Sequence, residues 1–228
     1  MKKATMQFIL LMLFALFLAT QARADPKYYI DFKAGGAYRA NKFSQEFKGG
    51  KLSKSASFSL AVGIMPIDQV AFDLSLTYNP KFGYKFVGPY DIDPTLTKIN
   101  SSKFRNVTIT TNGYYFLLDK TSFIIPYVGA GIGWSRNTIS NNPHYIDGEY
   151  NFTRKGGVHN DLAWKLTAGS LFKLNDKVKL SLEYSYTNLG HFKSGKVDYV
   201  VNGDIFPVSR SKTKIRTHSI MVGLRYEL

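Results

Sequence analysis

The stretch Arg216-Thr-His-Ser-Ile-Met-Val-Gly-Leu-Arg-Tyr-Glu-Leu228 alternates between two kinds of side chain. From His218 to Leu228 every second residue is large and mostly apolar, whereas the residues between them are mainly small, polar or charged. Successive side chains of a β-strand point to opposite faces, so this pattern predicts a strand with one apolar face. No covering element follows it in the sequence, and such a strand is expected to aggregate unless both of its edges are paired.

The same alternation recurs upstream and predicts seven further strands. The eight predicted strands lie near residues 28–40, 55–64, 70–79, 105–118, 123–137, 159–174, 178–187 and 216–228. Within the fifth strand, Gly129, Gly131 and Gly133 fall on one face, where they leave room for bulky side chains of neighbouring strands inside a narrow barrel.

The predicted connections are of two kinds that alternate along the chain. Tight turns fall near 65–69, 118–122 and 173–177, and long loops near 41–54, 80–103, 136–160 and 192–214. All the long loops therefore emerge at one end. An even number of strands, short turns at one end and long loops at the other are typical of outer-membrane barrels. We predict an all-β fold, an eight-stranded antiparallel up-and-down transmembrane β-barrel, with a secreted soluble β-protein as the alternative.

The N-terminus has the layout of a secretory signal peptide. Lys2 and Lys3 precede an apolar run at 8–19, and Ala22-Arg23-Ala24 matches a cleavage site. The run is shorter than the roughly 20 residues that a membrane helix needs. We therefore predict a cleaved leader at 1–24 and a barrel domain at 25–228. Removing the leader takes three positive charges from the net charge of +14 and leaves +11.

Several charged residues are expected to point into the lumen. The predicted network comprises Asp31, Lys33, Asp73, Lys165, Glu183 and Arg225. These charges could line a selective pore, or they could pair and fill an interior that is only just wide enough for side chains. The mixed signs favour the filled lumen, and we expect Glu183 to pair with Arg225 or Lys165.

The four long loops carry +9 of the +11 charges of the mature chain. The residues predicted to bind a partner are Lys42, Lys48, Lys51, Lys54, Lys193, Lys196, Arg210, Lys212 and Lys214. A clustered positive potential attracts anions, so a host-cell surface protein or a polyanion is a candidate partner. The alternative is that these charges bind the phosphates of surrounding lipopolysaccharide or only solvate the loops. Nucleic acid is not expected outside the cell envelope.

No enzyme, cofactor or metal site is predicted. His218 directly precedes Ser219, so the two point to opposite faces of a strand instead of forming a nucleophile and its base. Asp161 lies near His159 in sequence, but no pattern assembles the two into a site. The chain has no cysteine, which excludes disulfides and thiolate metal sites.

Three motifs carry a family resemblance: Pro-Tyr-Val-Gly-Ala-Gly-Ile-Gly-Trp at 126–134, Leu-Glu-Tyr-Ser-Tyr-Thr-Asn-Leu-Gly at 182–190 and the final nine residues. With the leader, they resemble the small eight-stranded outer-membrane barrels related to opacity proteins and OmpA, a group that includes surface antigens and adhesins of intracellular proteobacteria. The resemblance implies recognition by the barrel-insertion machinery. Leu228 stands where that family usually has Phe, which weakens the expected assembly signal.

These observations predict an outer-membrane surface protein with basic external loops, acting as an adhesin or surface antigen that binds host or envelope anions. The alternative is a structural envelope barrel or a narrow passive, porin-like channel.

Overall fold

The computed structural model describes residues 26–39, 51–52, 54–89, 95, 97–118, 122–146, 149–193, 197–201, 204–208 and 212–228. Within these residues, eight long strands form the wall of a barrel: β1 (Lys27–Arg39), β3 (Ser55–Ile67), β4 (Val70–Pro89), β5 (Thr97–Phe116), β6 (Ile124–Ile139), β9 (Gly157–Lys173), β10 (Val178–Lys193) and β13 (Lys212–Glu227). Five short strands accompany them: β2 (Lys51–Leu52), β7 (Asn142–Ile146), β8 (Glu149–Arg154), β11 (Val197–Val201) and β12 (Asp204–Val208).

The wall closes on itself. Its strands follow the order β4-β3-β1-β13-β10-β9-β6-β5, and β4 also pairs with β5. All of these pairings are antiparallel. The last strand, β13, pairs with β10 on one side and with β1 on the other, where Leu228 donates its backbone N–H to the carbonyl of Tyr28 at 2.9 Å. The predicted eight-stranded barrel is therefore confirmed, and both edges of the last strand are paired.

The distribution of side chains is inverted relative to a water-soluble protein. Large apolar residues cover the outside, and the buried positions of the same strands are largely polar or charged. Neighbours on β13 show the contrast, since Leu224 is 52% exposed and Arg225 is 0% exposed. Such a continuous apolar exterior is stable only against lipid, and a closed barrel satisfies its backbone hydrogen bonds internally. The soluble alternative is therefore wrong.

All four predicted loops contain more regular structure than expected, including β2 in loop 41–54 and the β11–β12 hairpin in loop 192–214. β4 and β5 remain paired far into the predicted loop 80–103, as far as Pro89 opposite Thr97. The pattern missed this extension because the β4–β5 register shifts between Asn79 and Phe82. Asn79 and Phe82 are both buried, so the alternation changes from odd to even numbers there. Further along the chain, β7 and β8 form a hairpin within the predicted loop 136–160.

Residues 1–25 lie outside the described residues, so the leader and its cleavage stay predictions. Among the residues that are described, none belongs to a helix long and apolar enough to cross a membrane.

Candidate functional site

An ion pair inside the lumen joins the two strands that close the barrel. Asp31 on β1 lies directly opposite Arg225 on β13. The guanidinium donates from Nη2 and Nε to Asp31 Oδ2 at 3.0 and 3.2 Å, and it also lies 4.0 Å from the ring centre of Tyr29. The expected partner of Arg225 was Glu183, and that pairing is wrong. The cross-strand register already supplies Arg225 with a carboxylate.

Glu183 is at the centre of a second group. Its Oε2 accepts hydrogen bonds from Lys33 Nζ and from Tyr127 Oη, the latter at 3.1 Å. Lys165 Nζ is 4.0 Å from Oε1, so Lys165 is near Glu183, as expected, but at the limit of an ion pair. Lys33 Nζ is also 3.3 Å from Asp31 Oδ2 and thereby links this group to the first ion pair.

The remaining lumen charges also have partners. Asp73 accepts a hydrogen bond from Asn112 Nδ2 at 2.5 Å and one from Tyr29 Oη at 3.4 Å. Lys179 pairs with Glu227. Four acidic and four basic residues are buried in the described lumen, so their formal charges cancel; they are Asp31, Lys33, Asp73, Lys165, Lys179, Glu183, Arg225 and Glu227. A neutral, paired interior fits a filled lumen better than a selective pore.

Apolar clusters pack inside the barrel on both sides of this polar layer. The cluster at the turn end comprises Tyr29, Met65, Ala71, Tyr114, Phe116, Ile125, Tyr127 and Leu171. The cluster at the loop end comprises Ala37, Phe82, Phe104, Ile139, Leu189, Phe192 and Ile215. Between the charges and the second cluster lies a cavity of about 20 Å³, lined by Lys165 and by hydroxyl groups such as those of Thr110 and Ser185. This volume holds about one water molecule.

The rim at the loop end contains an Asp–His pair that the sequence did not reveal. Asp161 Oδ2 accepts hydrogen bonds from His191 Nδ1 at 2.6 Å and from the His191 backbone N–H at 2.9 Å. Gly190, at a φ of +76°, makes the turn that brings His191 there, and a Cβ at Gly190 would lie 2.5 Å from the Asp161 side chain. The partner of Asp161 is therefore His191 and not His159, because β10 bulges between Asn188 and His191.

Positive charge at this rim affects a neighbouring histidine. His159 lies beyond the apolar belt, at the level where Asn160 is exposed on the outer face of β9. Its partial burial and the nearby ammonium of Lys193 lower the pKa of His159, against a smaller opposing effect of Asp161. The lowered pKa favours the neutral form of the His159 ring.

Of the nine residues predicted to bind a partner, the structure describes the side chains of four: Lys54, Lys193, Lys212 and Lys214. Lys193 lies directly opposite Lys212 on the neighbouring strand, and His191 lies opposite Lys214. Lys54 Nζ lies 5.0 Å from the ring centre of Tyr38. For Lys51 the backbone is described and pairs with Lys85. Lys42, Lys48, Lys196 and Arg210 lie outside the described residues.

The sequence reasoning missed the neutral partners of the lumen charges. Tyr29 and Tyr127 each donate a hydrogen bond to a lumen carboxylate. Alternation places both on the inner face, where their hydroxyl groups could have been recognised as donors. Among the described residues, no group of three or more His, Cys, Asp or Glu side chains is arranged to hold a metal ion.

Comparison with known proteins gives the same architecture. The family model for the outer membrane protein beta-barrel domain matches residues 8–227. Outer membrane protein PagN of Salmonella typhimurium (strain LT2) is 28% identical over 134 residues, covering 59% of this chain and 54% of PagN, so the match spans about half the length of that relative. A "Putative adhesin" of Rickettsia bellii (strain OSU 85-389) is 26% identical over 208 residues, covering 90% of this chain and 89% of the relative.

The fold is also similar to that of a solved structure. The crystal structure of Neisserial surface protein A (NspA) matches with a TM-score of 0.53 at 16% identity, covering 88% of this chain and 97% of that one. The match of the family model to nearly the whole chain, together with the closed eight-stranded wall, gives the assignment: the chain belongs to the outer membrane protein beta-barrel domain family and lies in the bacterial outer membrane.

Proposed function

We propose that this outer-membrane barrel is an adhesin whose basic loop end binds an anionic partner on a host-cell surface. The observation that carries the proposal is a pair of lysines that face each other on neighbouring strands at that end. Lys193 on β10 lies opposite Lys212 on β13. Like charges directly opposite each other destabilise a pair of strands. A bound anion would relieve that repulsion, so the arrangement favours the complex over the free protein.

The chemistry of the partner follows from the charges. Exposed lysines are compact, flexible point charges, which suit a polymer with many anionic groups better than one planar carboxylate. A sulfated polysaccharide or an acidic stretch of a surface protein fits this description. The relatives named as adhesins support a role at the cell surface but do not identify the partner.

A purely structural role is the second candidate, and the paired, filled lumen favours it over a channel. The apolar clusters on both sides of the charged layer occupy the described lumen. A catalytic role has less support, because Asp161 orients His191 but, among the described residues, no nucleophilic side chain is hydrogen-bonded to the His191 ring.

Binding of the refolded protein to immobilised heparin, used as a model polyanion, tests the proposal. The double variant Lys193→Glu/Lys212→Glu removes the facing positive pair, and we expect at least a tenfold weaker affinity. The matched control is Lys177→Glu, which reverses one lysine charge at an exposed residue of the turn end. This variant should bind as the wild type does. Unchanged binding by the double variant would refute the proposal.

A further inference from the structure

One of the four cations inside the lumen differs from the others in how it is paired. Arg225, Lys33 and Lys179 each contact a carboxylate directly. Lys165 Nζ is 4.0 Å from Glu183 Oε1, too far for a hydrogen bond, and Glu183 is already engaged by Lys33. Among the described residues, none accepts a hydrogen bond from the Lys165 ammonium. An ammonium has three donors, and burying donors without acceptors is costly, so Lys165 requires an acceptor of its own.

The cavity beside Lys165 is lined on this side by hydroxyl groups. Two pairs of them lie opposite each other in the β10–β13 ladder, Ser185 with Ser219 and Thr187 with Thr217. Lys165, on β9, lies opposite Thr187. Within the part of the chain that the structure describes, none of these four hydroxyls has a hydrogen-bond partner. A hydroxyl rotates to suit its partner, so four available donors and one ammonium line the same space.

The rest of the described lining contains no carboxylate; it consists of Thr77, Asn79, Thr108, Thr110, Leu189 and Met221. Thr108 and Thr110 already bond to neighbours within the opposite wall. A buried water molecule makes about three hydrogen bonds and donates some of them. An anion only accepts, which matches a lining of one cation and several free donors.

We propose that this cavity is a binding site for a small monatomic anion such as chloride, held by Lys165 and by the hydroxyls of β10 and β13. Hydrogen bonds from an ammonium to an anion are charge-assisted and therefore strong. The cavity volume of about 20 Å³ is only slightly more than one water molecule needs, so a halide fits and a tetrahedral oxyanion such as phosphate does not. The site lies inside the lumen and is independent of the proposed adhesive surface.

The bound anion links the stability of the barrel to the kind of salt present. Its ligands come from three strands, β9, β10 and β13, so the site exists only in the folded wall. A ligand that binds only the folded state stabilises it. Screening of charges depends on ionic strength and is the same for all monovalent anions, whereas this site responds to chloride and not to a large organic anion.

Two measurements on the refolded protein test the proposal. Crystals grown with sodium bromide as the only halide locate the ion, because bromide scatters anomalously. We expect an anomalous peak in the cavity, within hydrogen-bonding reach of Lys165 Nζ. In detergent solution, the thermal midpoint is measured by heat-modifiable gel migration in sodium chloride and in sodium gluconate at equal ionic strength, since gluconate is too large for the cavity.

The difference between these two midpoints is compared across variants. Lys165→Gln should lose both the chloride-specific stabilisation and the bromide peak. Thr217→Val keeps the shape of the side chain but removes a donor, and it should lose at least half of the stabilisation. The matched control is Thr167→Val, which removes a hydroxyl that is buried on β9 without a described partner and does not line the cavity. This control should behave as the wild type does.

Three results would overturn the proposal. Equal chloride-specific stabilisation in the wild type and Lys165→Gln would show that the ammonium holds no anion. Equal losses in Thr217→Val and Thr167→Val would show a general effect of removing a hydroxyl. Bromide peaks at surface lysines without one in the cavity would leave the cavity to water. If Lys165→Gln does not fold, the comparison of Thr217→Val with Thr167→Val still decides.

Discussion

Asp31 and Arg225 face each other across the seam between the first and last strands of the barrel, and the guanidinium donates two hydrogen bonds to one carboxylate oxygen. Both side chains are fully buried. The closure of the wall and the filling of the lumen therefore depend on the same pair.

Removing one partner of this pair is predicted to destabilise the barrel. Asp31→Asn leaves Arg225 buried without its carboxylate, and we expect a loss of about 3–5 kcal/mol, typical for breaking a buried ion pair. Urea unfolding in lipid vesicles, followed by tryptophan emission, measures the loss. The double variant Asp31→Leu/Arg225→Met removes both charges and should lose less than Asp31→Asn. Wild-type stability in Asp31→Asn would contradict the assigned role.

The close approach of β5 and β6 requires glycine at position 133. A Cβ there would lie 1.9 Å from the Ile109 carbonyl oxygen, which belongs to the backbone and cannot move aside cheaply. We expect Gly133→Ala to lower the yield of folded, heat-modifiable protein severalfold. Gly113→Ala, whose new methyl would meet the Phe72 ring at 3.4 Å, is the matched control and should fold normally. Equal yields for the two variants would show that the strands can separate without penalty.

The wild-type protein is predicted to carry no steady current in planar lipid bilayers. The charged layer is paired, and an apolar cluster lies on each side of it. Co-flotation of the protein with lipid vesicles serves as the control for insertion. A stable, ion-selective conductance from the inserted protein would show that the lumen opens and would favour the channel alternative.

The Asp161–His191 pair is predicted to hold the bulge in β10 at the rim. In Asp161→Asn the side chain keeps its shape but loses its charge, so the hydrogen bond to the His191 amide weakens. We expect faster hydrogen exchange at that amide, by about tenfold, which corresponds to roughly 1.4 kcal/mol. Asn160→Ala, next to it on the outer face, is the control and should leave that amide protected.

The sequence predicted the faces of the strands well, because alternation alone separates residues such as Leu224 and Arg225. It failed where a strand gains an extra residue. After the bulge at Asn79–Phe82 the inward face changes parity, so the continuation of β4 was interpreted as a loop. The bulge near Gly190 similarly hid the proximity of Asp161 to His191.

Contacts across the lumen were also beyond the reach of sequence patterns. Lys33 on β1 and Glu183 on β10 are separated by β13 in the wall, and they meet only because the curvature of the barrel brings inward side chains together. Strand adjacency, which the sequence does provide, predicts only direct neighbours such as Glu183 with Lys165.

Adhesion itself is the most direct test of the proposed function. A non-adherent bacterium that displays the protein is counted on cultured host cells, with the wild type, Lys193→Glu/Lys212→Glu and the turn-end control Lys177→Glu matched for surface amount. We predict that the wild type and the control adhere, that soluble heparin competes, and that the double variant loses most of its adhesion. Equal adhesion by the double variant and the wild type would contradict the proposal that facing lysines at the loop end bind the partner.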